Sequence, residues 1–535
     1  MARVNAQEIG WHAAGNGGAV AAGGAQAVGP GIELLQQGGN AADAAVATIL
    51  ALSVTDYGLF SIGGEVPFMI YDARAEEVKV LSGQGRAPLS QAAIDWYMEH
   101  GIPTDGDLKA AAVPAAIDLC VTALKLYGTK TFEAASGPML ALLDAGGLDW
   151  HPLLATTMRR LVETERRCAG TREAKLQAVS DCFYRGDIAD ELEAFYVAKG
   201  SFMRKQDLAA HVTSVEDPVT VQYRGYTACK CGTWTQGPYL CQALRLLEGF
   251  DLQRMGHLSA DYVHVVTEAI KLAMADRDEY YGDPLFVDVP LLALLSDPYT
   301  EVRRPLIDMR HASAEARPGD PYAMRALKGG GQYRPNPGGT TTCVVADRWG
   351  NVVAATPSCN FYGGQENIAP NGVAHGTRLT SLNTTKGHPN CVQPGKRPRI
   401  TLTPTLVLQQ GQPVLAISVA GGDLQDQTTL NALLNRVEFG MLPQAAVTAP
   451  RFATAHHQDS FDPNPVRTET FGPAATVTVN HGVSQDVRDE LASRGHQVIP
   501  IDGHIATPVM LYLDRDSGTV YAAGDPTAGR HAAAI

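Results

Sequence analysis

The chain has 535 residues, 45% of them hydrophobic and 19% charged, so it carries ample apolar material for a large folded core. A net charge of −13, with 56 acidic against 43 basic residues and no basic run interleaved with aromatics, argues against a nucleic-acid partner. The first ten residues contain no apolar leader core and no later stretch is apolar enough to span a bilayer, so a cytoplasmic protein without a membrane partner is expected. Nine scattered cysteines agree with that compartment, and Cys229-Lys230-Cys231 lacks the spacing of a redox or zinc motif.

In chain order, a helical stretch from Ile32 to Gln37 stops at Gly38-Gly39, and Asn40 caps a second helix from Ala41 to Leu52. Ile62 to Tyr71 reads as a loop entering a strand, with Glu77 to Leu81 as its partner. Pro114 opens a helix over Ala115–Leu126, and Leu153–Glu165 is another. Ser259 caps a long helix to Tyr281 with Val265, Val266, Ala269, Ile270 and Ala273 as its buried stripe. Residues 309–339, rich in Pro and Gly, read as an exposed linker. Beyond it the pattern is β: Thr341–Ala346 with Val352–Thr356, Pro404–Leu408 with Val414–Val419, and Val509–Leu513 with Val520–Ala523. A helix from Gln427 to Arg436 falls between them. Two halves, 1–339 and 340–535, with helices flanking paired strands predict an α/β sandwich.

The most informative stretch is Gly338-Gly339-Thr340-Thr341-Thr342, which enters a strand from that linker. Threonine favours strands for steric reasons alone. It becomes a nucleophile when a base sits beside it, and a free α-amino group on the same residue is one such base. That amine exists only if the Gly339–Thr340 bond is cut. A hairpin turning at Trp349 pairs Ala346 with Val352 and Thr342 with Thr356, and continuing the register sets Thr340 opposite Ser358. A one-residue slip would separate them. Gly421-Gly422 ends a later strand, as a turn or bulge, or as backbone N–H groups aimed at a developing oxyanion. Arg397-Pro398-Arg399 reads as solvated, and His456-His457 with Asp459 as polar surface. No serine-hydrolase elbow, Walker loop, dinucleotide fingerprint or zinc-protease motif occurs, so neither a cofactor nor a metal is expected.

At these residues the chain resembles the γ-glutamyltranspeptidase family of N-terminal-nucleophile hydrolases. The likeness is carried by an ordered series: Gly38-Gly39-Asn40-Ala41-Ala42-Asp43-Ala44, Ala112-Val113-Pro114, Tyr127-Gly128-Thr129, Tyr281-Gly282-Asp283-Pro284, Thr340-Thr341, Lys396-Arg397-Pro398, Gly421-Gly422, Ala449-Pro450-Arg451-Phe452 and Gly524-Asp525-Pro526. The resemblance implies a four-layer αββα sandwich built by a large and a small subunit from one precursor. It implies Thr340 as self-processing residue and nucleophile, Ser358 as its support, Asn360 as a substrate contact and Gly421 and Gly422 as the oxyanion pair. The substrate would be a small-molecule amide.

The sequence departs from the family where the γ-glutamyl group is held. Gln84 stands where a carboxylate-binding arginine is usual, the nearby guanidinium moves to Arg86, and Thr401 falls on a serine pair. An aspartate for the α-amino group is replaced near Thr384-Thr385. Losing both charged partners would cost several kcal/mol of glutamyl binding, on the order of two charge-assisted hydrogen bonds. Three readings remain at this point: an amide hydrolase or acyltransferase of altered substrate, a glutathione-cleaving member using Arg86, and an uncut binding protein.

Overall fold

A computed structural model describes residues 9–326, 339–360 and 364–535. Two seven-stranded antiparallel sheets lie face to face. In the first, the order is His531–Ala534, Gly18–Ala22, Cys343–Asp347, Val352–Ala355, Val66–Asp72, Glu77–Gly83 and Ser214–Glu216. In the second it is His12–Gly15, Thr519–Gly524, Thr507–Asp514, Gln412–Ala420, Thr405–Gln409, Tyr226–Lys230 and Val219–Tyr223. Both sheets interleave strands from before and after Thr340, so the two halves of the chain fold as one body.

Three apolar layers hold this stack. Val344, Ala346, Val352, Ala354, Met69 and Val80 meet Leu406, Ala416, Val509 and Leu511 between the sheets. On the outer face of the first sheet Cys343, Val345, Val353 and Ala355 pack on helices that include Ala41–Thr55 and Ala116–Tyr127. Pro238–Leu247, Ala260–Tyr280 and Gln425–Val437 cover the second sheet. The alternation of neighbours in one strand between two cores is the period-two signature of a sheet buried on both faces. The architecture is the four-layer αββα sandwich.

Most predicted elements hold with small shifts of boundary. The first helix begins earlier, at Ala25, and runs through Pro30 to Gln36. Asn40 caps Ala41–Thr55 through a reciprocal box with Asp43. Asp43 also binds the N–H groups of Thr129 and Lys130 and the Thr129 hydroxyl, at 2.7–3.1 Å, so the Gly-Gly-Asn and Tyr-Gly-Thr segments form one clamp. Three helices, Phe132–Asp144, Arg172–Tyr184 and Asp187–Ala198, went unread: Pro138 sits inside the first, and charged residues are spread through the other two.

The linker needs correction in its first part. Within 309–326, Arg317 pairs with buried Glu268 at 2.9 Å and Gly319 N–H donates to Asp276 at 2.7 Å. Its prolines mark a strapped surface segment there, and 327–338 lies outside the described residues. His456 and His457 are both buried, as are Arg397 and Arg399, so neither motif is solvated surface. Arg397 is held by Asp283 at 2.8 Å and Glu216 at 2.7 Å, which offsets the cost of burying it. Among the described residues no helix is long and apolar enough to cross a membrane.

Candidate active site

The helix Ala41–Thr55 positions the Thr340 strand at both ends. At one end Asp347 accepts from Ala41 N–H in the helix's first turn, at 2.8 Å, and closes the turn through Trp349 N–H and Asn351. An anion there also meets the positive end of the helix dipole. At the other end Asp56 accepts from the Thr341 hydroxyl at 2.6 Å. Pairing is Ala346 with Val352 through Cys343 with Ala355, and Thr340 lies opposite Ser358 in an isolated bridge. The register counted from the sequence is the one observed.

Strand pairing extends this into a row. Ser358 lies opposite Glu65, and Val66 pairs with Gly83, so the next step sets Glu65 opposite Gln84. Directly opposed residues share a face. Thr340, Ser358, Glu65 and Gln84 therefore lie on the face that carries Val344, Val352, Met69 and Val80 into the inter-sheet space. At a strand spacing of about 4.8 Å, Gln84 stands roughly 10 Å from Ser358 and about 14 Å from Thr340.

Ser358 is the hub. Its Oγ accepts from Thr340 Oγ1 at 3.2 Å, from Arg378 Nη2 at 2.8 Å and, more weakly, from Asn360 N–H at 3.3 Å. Its own proton is donated to the carbonyl oxygen of Gly339. The residue to be activated and the carbonyl before it thus share one hydroxyl. Thr340 is 6% exposed and Ser358 fully buried. Asn360 adopts a left-handed φ of 46°, which asparagine tolerates. Its Nδ2 donates to Thr380 Oγ1 at 3.0 Å, and its buried Oδ1 has no partner among the described residues.

The glycine pair is joined to this hairpin by two chains of contacts. In one, Asp56 binds Arg530, which donates to Thr507 Oγ1, whose hydroxyl donates to the carbonyl of Ala420, next to Gly421. In the other, Arg378 lies 5.9 Å over the Phe461 ring, whose edge would stand 3.1 Å from a β-carbon at Gly422. Gly421 has φ 147° and Gly422 φ 59°, and a β-carbon at Gly421 would meet Ala506 at 2.7 Å. The glycines are required by conformation and by space. With its amide oriented to satisfy both ends, Gln425 donates to the carbonyls of Thr401 and Val419 and accepts from Gly422 N–H at 3.2 Å. In the uncut chain one of the two expected oxyanion donors is therefore already engaged.

The predicted binding residues divide. Thr401 is buried against Gln425 and supports the glycine turn. Gln84 is buried, its Nε2 bonded to Gly85 O at 3.2 Å and its Oε1 without a partner among the described residues. Arg86 is half-buried and its guanidinium has no hydrogen bond among the described residues; burial and the neighbouring Arg397 lower its pKa, while Asp283 and Glu216 oppose them. No described contact carries Arg86 to the Thr340 hairpin. Sequence reading missed Glu65 and Arg378. Arg378 Nε donates to Glu65 at 2.7 Å, and burial raises the Glu65 pKa against the pull of that guanidinium.

Among the described residues one cluster has metal-ligand spacing: His264, Glu268 and His496, with ligand atoms within 4.8 Å of one another. Glu268 is already paired with Lys271 and Arg317, and the two imidazoles bond each other at 2.8 Å. Two cations on its carboxylate make the group a poor cation site.

The family profile for gamma-glutamyltranspeptidase matches residues 27–165 and 150–535. The chain belongs to the γ-glutamyltranspeptidase family. It is 29% identical to the glutathione hydrolase proenzyme of Bacillus subtilis strain 168, over 94% of this chain and 89% of that one. It is 28% identical to the acylase ACY 1 proenzyme of Pseudomonas sp. strain SE83, over 88% and 85%. The cephalosporin acylase of Bacillus halodurans superposes with a TM-score of 0.81 at 24% identity, over 100% of this chain and 98% of that one, a likeness of fold. The chain is thus similar both to a protein named as a glutathione hydrolase and to proteins named as acylases.

Proposed function

We propose that Thr340 cuts its own chain and then serves as the nucleophile of the mature enzyme. The chain is a γ-glutamyltransferase-like N-terminal-nucleophile hydrolase, a self-processing enzyme of amide hydrolysis or acyl transfer that works through an acyl-threonine. The observation that carries the assignment of Thr340 is the shared Ser358 hydroxyl, which contacts Thr340 Oγ1 and the Gly339 carbonyl oxygen together. In maturation Thr340 Oγ adds to the Gly339 carbonyl carbon, and the oxyanion takes the hydrogen bond of Ser358. The Gly339–Thr340 C–N bond breaks, and the hydroxyl proton ends on the Thr340 α-nitrogen. Water then splits the ester, leaving a Gly339 carboxylate and a free threonine N-terminus. Cleavage gives a large subunit, 1–339, and a small one, 340–535.

In turnover the freed amine takes the proton from Thr340 Oγ as the oxygen attacks the substrate amide. The N–H groups of Gly421 and Gly422 receive the oxyanion, which requires Gln425 to release or share Gly422. The leaving amine takes the proton, and water or an acceptor amine resolves the ester. For the acyl group we propose recognition by the uncharged Gln84 and Asn360, each with an unfilled acceptor at the row. Comparing hydrolysis of a γ-glutamyl anilide with that of small dicarboxylic monoamides tests this. Preference for the glutamyl compound, lost on Arg86→Ala, would instead favour a glutathione-type substrate.

A further inference from the structure

Between Ser358 and Gln84 the row holds Glu65, an acid with no place in the chemistry above, and Arg378 reaches over it from the irregular segment 364–400. Glu65 and Arg378 are both buried. The guanidinium is fixed on three sides: Nε and Nη2 on Glu65 at 2.7 and 2.6 Å, the Phe461 ring 5.9 Å from its centre, and Ser358 Oγ at 2.8 Å. A fourth contact, Nη1 to Ser381 Oγ at 3.4 Å, is weak.

We propose that Glu65 and Arg378 are a positioning pair that aims and polarises the Ser358 hydroxyl, and so set the rate at which the chain cuts itself. A hydroxyl oxygen has two lone pairs and one proton. Arg378 and Thr340 take the two lone-pair directions at 2.8 and 3.2 Å, with Asn360 N–H sharing them weakly at 3.3 Å, so the proton of Ser358 is left one direction, toward Gly339 O. As Gly339 O gains negative charge the Ser358 proton moves toward it, and Ser358 Oγ becomes more negative. A cation bonded to that oxygen stabilises the shift, and a charge-assisted donor does so more strongly than a neutral one. Glu65 keeps the guanidinium in the fork geometry that serves both partners at once. The inference rests on the assignment of Thr340 above, and it concerns residues that touch neither the scissile bond nor a substrate.

The rival role is a clamp, holding the segment around Arg378 to the strand Val66–Asp72 without acting through Ser358. Removing one charge would leave the other buried and unpaired, so the decisive variant is the neutral double substitution Glu65→Gln with Arg378→Gln. Cleavage is followed by denaturing electrophoresis during a chase after cell-free synthesis, with folding checked by circular dichroism and melting. The double substitution is expected to slow cleavage on the order of 10- to 100-fold, less than loss of a direct oxyanion donor. In a Ser358→Ala background the same two changes should alter the remaining rate by less than about twofold, since coupled residues are non-additive. Arg378→Lys keeps the charge for Glu65 but not the fork, and should slow cleavage about 3- to 10-fold while the protein stays folded. It also decides the matter should the double variant not fold, through its non-additivity with Ser358→Ala.

Wild-type rates in the folded variants, or equal slowing with and without Ser358, would overturn the pair's role and leave Thr340 untouched. A wild-type chain that never cuts would overturn both.

Discussion

The two ends of the residue row that crosses the first sheet are built in opposite ways. At the Thr340 end hydroxyl, guanidinium, carboxylate and carbonyl close on one another around Ser358, and Asn360 Oδ1 beside them is left open. At the Gln84 end the groups are buried yet open, with Gln84 Oε1 and Arg86 Nε lacking partners among the described residues. A buried unsatisfied polar atom costs about 1–3 kcal/mol, and a donor that bonded Gln84 Oε1 would relieve that cost. Under the proposed function, the closed end fixes geometry for bond making and the open end recognises the incoming molecule.

The contrast can be broken most severely at its closed end. Thr340→Ala should abolish both chain cleavage and turnover, read by electrophoresis and by a chromogenic amide assay, with the fold retained. Ser358→Ala should slow cleavage by about 10²–10³, the scale of one oxyanion donor, whereas Ser358→Thr keeps the hydroxyl and should stay within about tenfold of wild type. At the open end the effect should be smaller and of another kind. Gln84→Ala should raise KM about tenfold for the preferred substrate, the worth of one buried hydrogen bond, and leave the cleavage rate unchanged. A cleavage defect there would erase the distinction between the ends.

Acid offers the mildest and most graded test. Burial pushes His375 down to about 3 and His388 down to about 4, the latter helped by Arg467 and Arg399, and both lie in the segment 364–400 that walls the site. The hairpin 339–360 contains no histidine. A histidine depressed in the folded state contributes stability that is complete above its unfolded value near 6.5. That contribution is lost as pH falls toward the folded value, at up to about 1.4 kcal/mol per pH unit per group. Hydrogen exchange at pH 5 compared with pH 7 should therefore show 364–400 opening before the hairpin. Equal protection of both segments at pH 5 would contradict this.

Much of the closed end was legible in the sequence because it depends on counting. A turn centred on Trp349 and a period of two are enough to bring Thr340 to Ser358, and glycines at Gly421-Gly422 carry their backbone requirement in their identity. Glu65 and Arg378 were not legible. Glu65 sits in a Gly-Gly-Glu-Val-Pro entry that reads as loop, and its neighbour across the sheet comes from a strand nearly 300 residues later in the chain. Arg378 lies in a segment with no helical or strand period to place it. A signal existed in the register of Val66–Asp72 against the Thr340 hairpin, but it requires knowing that those strands are neighbours. Thr401 was read toward substrate from its order in the chain, and the structure spends it on Gln425.

The central claim is that Thr340 becomes an N-terminus. Intact-mass spectrometry of the purified wild-type protein tests it directly: the account predicts two chains whose masses correspond to residues 1–339 and 340–535, and a single uncut chain in the Thr340→Ala protein. A wild type that remains one chain of 535 residues, or a cut at any other bond that survives Thr340→Ala, would contradict it.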